Sequence, residues 1–281
     1  MLNAQGIKDL VRQHNLGISP RRLGQHFLVD PRALERIVAT VGAGPEDHVL
    51  EIGAGLGALT EGLLESGARV TAVERDRRFA RVLESRFGRR ENFRLLKGDA
   101  LLLDLADLAA GNPRSLLVVG NIPYSITSPI LAFLLRQRQW VKRALLTIQK
   151  EVAQRIVAPP GGKACSSISL FVRVAFKPAI AFTIHPGAFY PQPKVTSAVL
   201  RLDPLEAPAV PAEEEEAVLK LVRSIFTHRR KTLLNALALP QVELSKEEIL
   251  RRLRQAGIDP TRRPETFSLQ EMVILSRAVA R

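Results

Sequence analysis

Between residues 48 and 149 the chain keeps changing its hydrophobic period, and that alternation narrows the possible folds more than any other feature. HVLEIG (48–53), RVTAVE (69–74), FRLLKGD (93–99), LLVVGN (116–121) and RALLTIQ (143–149) are short apolar runs with strand character. Between them, ALTEGLLESG (58–67), RFARVLESRFG (78–88) and SPILAFLLRQ (128–137) carry apolar residues at helical spacing. Strands joined through helices need crossover connections, so the pattern predicts a mostly parallel, doubly wound α/β sheet. Ahead of the first strand, DPRALERIVATVG (30–42) has an aspartate cap, a first-turn proline and a closing glycine, which predicts a helix. AIAFTIHP (179–186) and SAVLRLDP (197–204) alternate in the manner of an antiparallel pair at the sheet's end.

Composition changes at DPLEAPAVPAEEEE (203–216), a linker-like stretch whose glutamates suit the positive end of a following helix. Three helical segments follow, AVLKLVRSIFTHRRKTLLNAL, SKEEILRRLRQAG and SLQEMVILSRAVA. We therefore expect an N-terminal segment (1–30), an α/β domain (31–204) and a small all-helical domain (205–281).

A net charge of +13 and a pI near 10.6 suit a polyanionic partner. From Val218 onward there are 13 Lys and Arg against 6 Asp and Glu. On an amphipathic helix with Val218, Leu221, Val222, Ile225 and Phe226 inward, Arg229, Arg230 and Lys231 are expected to contact phosphates. The single Cys165 excludes an intramolecular disulfide, and His14, His26, His48, His185 and His228 lack metal-ligand spacing. No apolar run approaches the roughly 20 residues that span a bilayer, and the first residues lack a signal-like apolar stretch. The expectation is a cytoplasmic monomer with no metal and no membrane segment.

The first strand opens into Gly53-Ala54-Gly55-Leu56-Gly57, where glycines permit a tight turn and a close approach of backbone to ligand. With Ala58 the spacing fits a dinucleotide fingerprint, and Glu74, about 20 residues on, is placed to take a ribose diol. The loop alone does not separate a nicotinamide dinucleotide from another adenosine-containing cofactor. At the third strand end, Asp99 in Lys97-Gly98-Asp99-Ala100 is placed to accept from an adenine amino group.

The fourth strand ends in Asn121-Ile122-Pro123-Tyr124. An exocyclic adenine amine is a poor nucleophile because its lone pair is delocalised into the ring. Two acceptors on its N–H groups would favour pyramidalisation and disperse the charge that builds as a methyl group arrives. The Asn121 side-chain oxygen and the Ile122 carbonyl are the candidates, with Pro123 holding that carbonyl's direction. Tyr124 is the candidate platform for an extruded base. Acids on successive strand ends followed by this element resemble the S-adenosylmethionine-dependent methyltransferases that act on amino groups of bases. No constellation suited to hydride chemistry accompanies them.

At greater length the sequence resembles the ribosomal RNA adenine N6,N6-dimethyltransferases. The resemblance runs through RRLGQHFLVD (21–30), EIGAGLGALT (51–60), GDAL (98–101), GNIPYSITSPI (120–130), TIQKEVAQRI (147–156), PGAFYPQPKVTSAVLRL (186–202), FTHRRKTLLNAL (226–237) and GIDPTRRPETFS (257–268). It implies a Rossmann-like class I methyltransferase using S-adenosylmethionine. It also implies that His26 and Leu28 cover the cofactor, Gly53 and Gly55 lie in its loop, Glu74 takes the ribose and Asp99 the adenine. Asn121 then lies between cofactor and target, and the base stacks between Tyr124 and Phe189. The implied reaction is two methyl transfers to each of two adjacent adenosines in the 3′-terminal hairpin loop of 16S rRNA, within the small subunit or its precursor. Ile122 stands where this family more often has leucine, a form shared with the resistance methylases of 23S rRNA. Cys165-Ser166 replaces a frequent Tyr-Gly pair, a difference read as one of packing. The alternatives are a 23S methylase, to which the Ile form points, and a non-catalytic assembly factor, against which the intact Asn121-Ile122-Pro123-Tyr124 argues.

Overall fold

The computed structural model describes residue 2 and residues 4–16, 25–162, 164–228, 230–238 and 244–280. By internal contacts it forms two units, Met1–Ala153 with Ala179–Pro204, and Gln154–Pro178 with Leu205–Arg281. The second unit thus takes in a stretch that lies before the linker-like sequence at 203–216.

The first unit is built on a seven-stranded sheet in the order β4-β3-β2-β5-β6-β9-β7. Its strands are β2 (His48–Ile52), β3 (Arg69–Glu74), β4 (Phe93–Lys97), β5 (Leu116–Asn121), β6 (Val141–Gln149), β7 (Phe176–Ile184) and β9 (Ser197–Pro204). The pairs joining β4, β3, β2, β5 and β6 are all parallel. Helices cover such strands on both faces, which is why Val49, Leu50, Val70, Ala72, Leu117 and Val119 are all buried. The two late strands are neighbours as expected, but out of chain order. β9 lies inside, antiparallel to β6, and β7 takes the edge.

The helix over Pro31–Val41 has the predicted ends: Asp30 accepts from the Ala33 N–H at 2.8 Å, and Gly42 closes it at φ +65°. Two small elements escape the sequence pattern. One is α1 (Ala4–Gln13), which buries Ile7. The other is a two-stranded ribbon in which β1 (Phe27–Leu28) pairs antiparallel with β8 (Phe189–Tyr190).

The second unit is helical, with segments at Ser167–Arg173, Glu215–Phe226, Leu233–Leu237, Lys246–Gln255 and Leu269–Val279. Val218, Val222 and Ile225 are buried, while Leu221 and Phe226, expected inward, are only half-buried. Ser268 and Glu271 form a reciprocal capping box at the last helix. Arg262 lies 2.5 Å from Glu271 and packs 4.0 Å over the Phe267 ring, and its guanidinium holds the Glu271 carboxyl down at about 2. At the departure from the family pattern, Cys165 is fully buried and Ser166 caps the helix over Ser167–Arg173.

Candidate active site

The carboxyl ends of β2, β3 and β5, together with the turn after β4, line a cavity of about 560 Å³ in the first unit. In open parallel sheets ligands bind at this end of the strands, and the volume falls within the usual range for small-molecule sites. Gly53, Gly55, Glu74, Asp99, Asn121, Ile122, Pro123, Tyr124, His26 and Leu28 all line it.

At the glycine-loop end, Gly53 and Gly55 have φ of +72° and +58°, a region that side chains disfavour. A β-carbon on Gly55 would also stand 3.1 Å from the Phe27 ring. Glu74 is 7% exposed, and both of its oxygens accept from backbone: Oε2 from the Gly55 N–H at 2.8 Å and Oε1 from the Asp76 N–H at 2.7 Å. Burial pushes its pKa up, against those two bonds. A carboxylate oxygen accepting one bond keeps a lone pair for a second donor, so Glu74 is at once the brace of the loop and an acceptor on the cavity wall. Asp99 is similar: its Oδ1 accepts from the Leu101 N–H at 3.0 Å, and the Arg75 guanidinium lies 3.4 Å from Oδ2.

Two cavity carboxylates had no assignment from the sequence: Asp76, which caps the helix over Arg77–Phe87, and Glu51. Glu51, on β2, is 2% exposed and accepts from the Thr60 hydroxyl at 2.6 Å. Burial raises its pKa to about 7, with the nearby Glu74 charge pushing the same way. The available signal was an acid at the end of an otherwise apolar strand.

At the other end of the cavity, the Asn121 Nδ2 donates to the His26 carbonyl at 2.8 Å. A carbonyl only accepts, so this bond fixes which way round the amide lies and leaves Oδ1 as the remaining acceptor. Ile122 is buried, and Pro123 (φ −54°, ψ 133°) leads into the short turn Tyr124–Ile126. The Tyr124 hydroxyl lies 2.7 Å from the Ser197 hydroxyl, and burial raises its pKa, keeping it protonated. The His26 ring lies nearly parallel to the Tyr124 ring, 27° between planes and 6.0 Å between centroids. Its Nδ1 donates to the Pro191 carbonyl at 2.6 Å, which places the proton on Nδ1.

Phe189 stands apart from this group. It pairs with Leu28 in the β1–β8 ribbon, is 4% exposed, packs in the hydrophobic core and is not among the residues lining the cavity.

Of the three basic residues expected on a helix, Arg229 lies outside the described residues. Arg230 and Lys231 are exposed, but the helix stops at Phe226 and both sit in the turn before Leu233–Leu237. Past Phe226 the backbone bonds shorten to i−3, from the Thr227 N–H to the Ser224 carbonyl at 3.3 Å and from the His228 N–H to the Ile225 carbonyl at 3.1 Å, which tightens the last turn. Arg230 and Lys231 therefore lie in a loop between helices and not on a helical stripe. Several other arginines of this unit are engaged, Arg251 and Arg252 with Glu248 and Arg277 with Glu214. Among the described residues there is no cluster of three or more His, Cys, Asp or Glu that could hold a metal, and no helix long and apolar enough to cross a membrane.

A doubly wound sheet with one antiparallel strand set inside its end, and a glycine loop facing acids on successive strand ends, defines a Rossmann-like methyltransferase. Solved structures share the fold. A dimethyladenosine transferase from Plasmodium falciparum superposes with a TM-score of 0.74 at 26% identity, over 89% of this chain and 96% of that one. The 23S rRNA methyltransferase ErmE superposes with a TM-score of 0.66 at 24% identity, over 91% of this chain and 100% of that one. In sequence, the ribosomal RNA small subunit methyltransferase A of Geobacter metallireducens is 43% identical, over 94% of this chain and 96% of its own. The protein of the same name from Pseudomonas savastanoi pv. phaseolicola is 42% identical, over 91% and 92%. The ribosomal RNA adenine dimethylase family matches residues 19–273, and the chain belongs to that family. The activity that goes with membership is dimethylation of adenine in ribosomal RNA.

Proposed function

We propose that the chain dimethylates N6 of two adjacent adenosines in the 3′-terminal hairpin loop of 16S rRNA, using S-adenosylmethionine, in the cytoplasm and on the small subunit or its precursor. The observation that carries this reading is the amide of Asn121, held by the His26 carbonyl so that its oxygen is left to accept, three residues from the Tyr124 ring.

The cavity residues fit the cofactor. Glu74 keeps acceptor capacity for the ribose hydroxyls, Asp99 for the adenine amino group, and the left-handed glycines at 53 and 55 let backbone approach closely. His26, just before β1, and Leu28, within it, both line the cavity and would cover the cofactor. The cofactor would supply a methyl group already activated on a sulfonium centre, so no strong base is required of the protein. What the chain supplies is position and polarity. Tyr124 stacks the extruded base. Asn121 Oδ1 and the Ile122 carbonyl accept from the amine, draw its lone pair out of conjugation and stabilise the developing charge. The product ammonium loses its proton readily to water.

Phe189 enters this scheme as a second stacking face only if the ribbon shifts, since its ring is buried in the core. Residues 205–281 serve as the RNA-binding domain in this reading, with Arg229, Arg230 and Lys231 on phosphates.

The test is to incubate the protein with labelled S-adenosylmethionine and small subunits lacking dimethyladenosine, with naked 23S rRNA in parallel, and to map modified bases by nuclease digestion and mass spectrometry. Dimethyladenosine at the paired hairpin positions is the expected result. Label confined to 23S rRNA would make it a resistance-type methylase. No label in either, with retained subunit binding, would make it an assembly factor.

A further inference from the structure

Ser197 begins β9, where it is paired with Gln149 of β6 and followed by three buried apolar residues. It is itself fully buried, a site where a hydroxyl costs stability unless it finds a partner. The partner is the Tyr124 hydroxyl at 2.7 Å, reached across 73 residues of sequence. A tyrosine fixed only at its β-carbon swings about χ1. Attachment at the hydroxyl, the far end of the ring's long axis, removes that swing.

We infer that Ser197 is a positioning residue of the reaction: by tethering the Tyr124 hydroxyl it sets the tilt of the stacked base, and so governs whether a base already carrying one methyl is re-presented for the second. This rests on the proposed adenine methylation. The tilt of the platform determines how far N6 lies from Asn121 Oδ1 and the Ile122 carbonyl, and misplacement by about 1 Å costs on the order of a hundredfold in rate. The second transfer is the more demanding, because N6 then bears a methyl and one fewer N–H. A loose ring therefore releases more product at the monomethyl stage.

The experiment compares Ser197→Ala, Tyr124→Phe, the double variant and Ser197→Thr. It measures monomethyl and dimethyl adenosine by mass spectrometry, cofactor affinity by calorimetry, and thermal unfolding as a check on folding. Ser197→Ala should slow the second transfer roughly tenfold, in keeping with the loss of one hydrogen bond. The monomethyl fraction should rise and cofactor affinity should stay unchanged. Ser197→Thr should restore the product ratio, and Ser197→Ala should add nothing in the Tyr124→Phe background. Wild-type kinetics and product ratio in Ser197→Ala, or an equal further loss in the Tyr124→Phe background, would overturn the inference.

A second readout does not depend on the reaction. The chain has two tyrosines, so fluorotyrosine labelling gives two resonances, and Tyr124→Phe assigns them. Ser197→Ala should move and narrow the Tyr124 signal alone. If the wild-type protein made no dimethyladenosine, the reaction reading would fall while this spectrum still decided the tether: an unmoved Tyr124 signal removes it.

Discussion

At the glycine-loop end of the cavity, Glu74 and Asp99 are braced by backbone N–H groups two to nineteen positions away in sequence. At the Asn121 end, the bonds that matter join residues far apart: Asn121 to the His26 carbonyl across 95 positions, Tyr124 to Ser197 across 73, and His26 to the Pro191 carbonyl across 165. The first end is assembled from neighbouring strand ends, with every brace spanning fewer than twenty residues. The second is assembled only by the tertiary fold, and every contact in it has one partner on another element. The loop end is therefore suited to holding a ligand whatever the other end does, while the Asn121 end responds to single side-chain changes.

Substitutions break this comparison in order of size. Asn121→Ala should lower the transfer rate by about 10²- to 10³-fold, the usual cost of losing one group aimed at developing charge, with cofactor affinity largely kept. Parallel loss of both, seen by calorimetry and single-turnover assays, would place Asn121 in the wrong half. Glu74→Ala should weaken cofactor binding by roughly 10- to 100-fold, as expected for bonds to a charged group and a loosened loop, and unchanged affinity would remove Glu74 from the ribose site.

Glu51 gives a pH test of the loop end. Its folded pKa of about 7 lies above the unfolded carboxylate value, so the native state holds the extra proton. Stability from this group is present at low pH and is lost as pH rises through that window. The cofactor-free protein should melt a few degrees lower at pH 8 than at pH 5, and Glu51→Gln should flatten that difference. A slope of the same size in the Gln variant would assign it to other groups. The smallest change is expected from Arg230→Ala with Lys231→Ala. The pair should weaken subunit binding modestly and make the salt dependence shallower by about one unit per lost phosphate contact. An unaltered slope in filter-binding titrations would make that loop a bystander.

The same contrast decides what was legible in the sequence. The sheet strands, the helix between Asp30 and Gly42, the glycine loop and Glu74 all announce themselves through spacing within about twenty residues. Asn121 and Tyr124 were legible as residue types, but not the atoms that orient them, because no local pattern marks His26 or Ser197 as their partners. The β1–β8 ribbon is two residues long on each side, too short to leave a period, and α1 has little apolar content beyond the face that buries Ile7. The basic run after Phe226 read as helix because its composition permits one; at Thr227 and His228 the backbone bonds shorten to the i−3 pattern and the helix ends.

The placement of β9 inside the sheet carries a consequence for how the molecule is made. A ribosome delivers β2 to β6 first, and that portion already holds the glycine loop, Glu74, Asp99 and Asn121. The slot beside β6 is filled only when residues 197–204 emerge, and Ser197 arrives with them. A growing chain thus has its ligand-gripping half before the aromatic platform has an anchor, and the late, long-range strand insertion is the step in which the two halves become one working site.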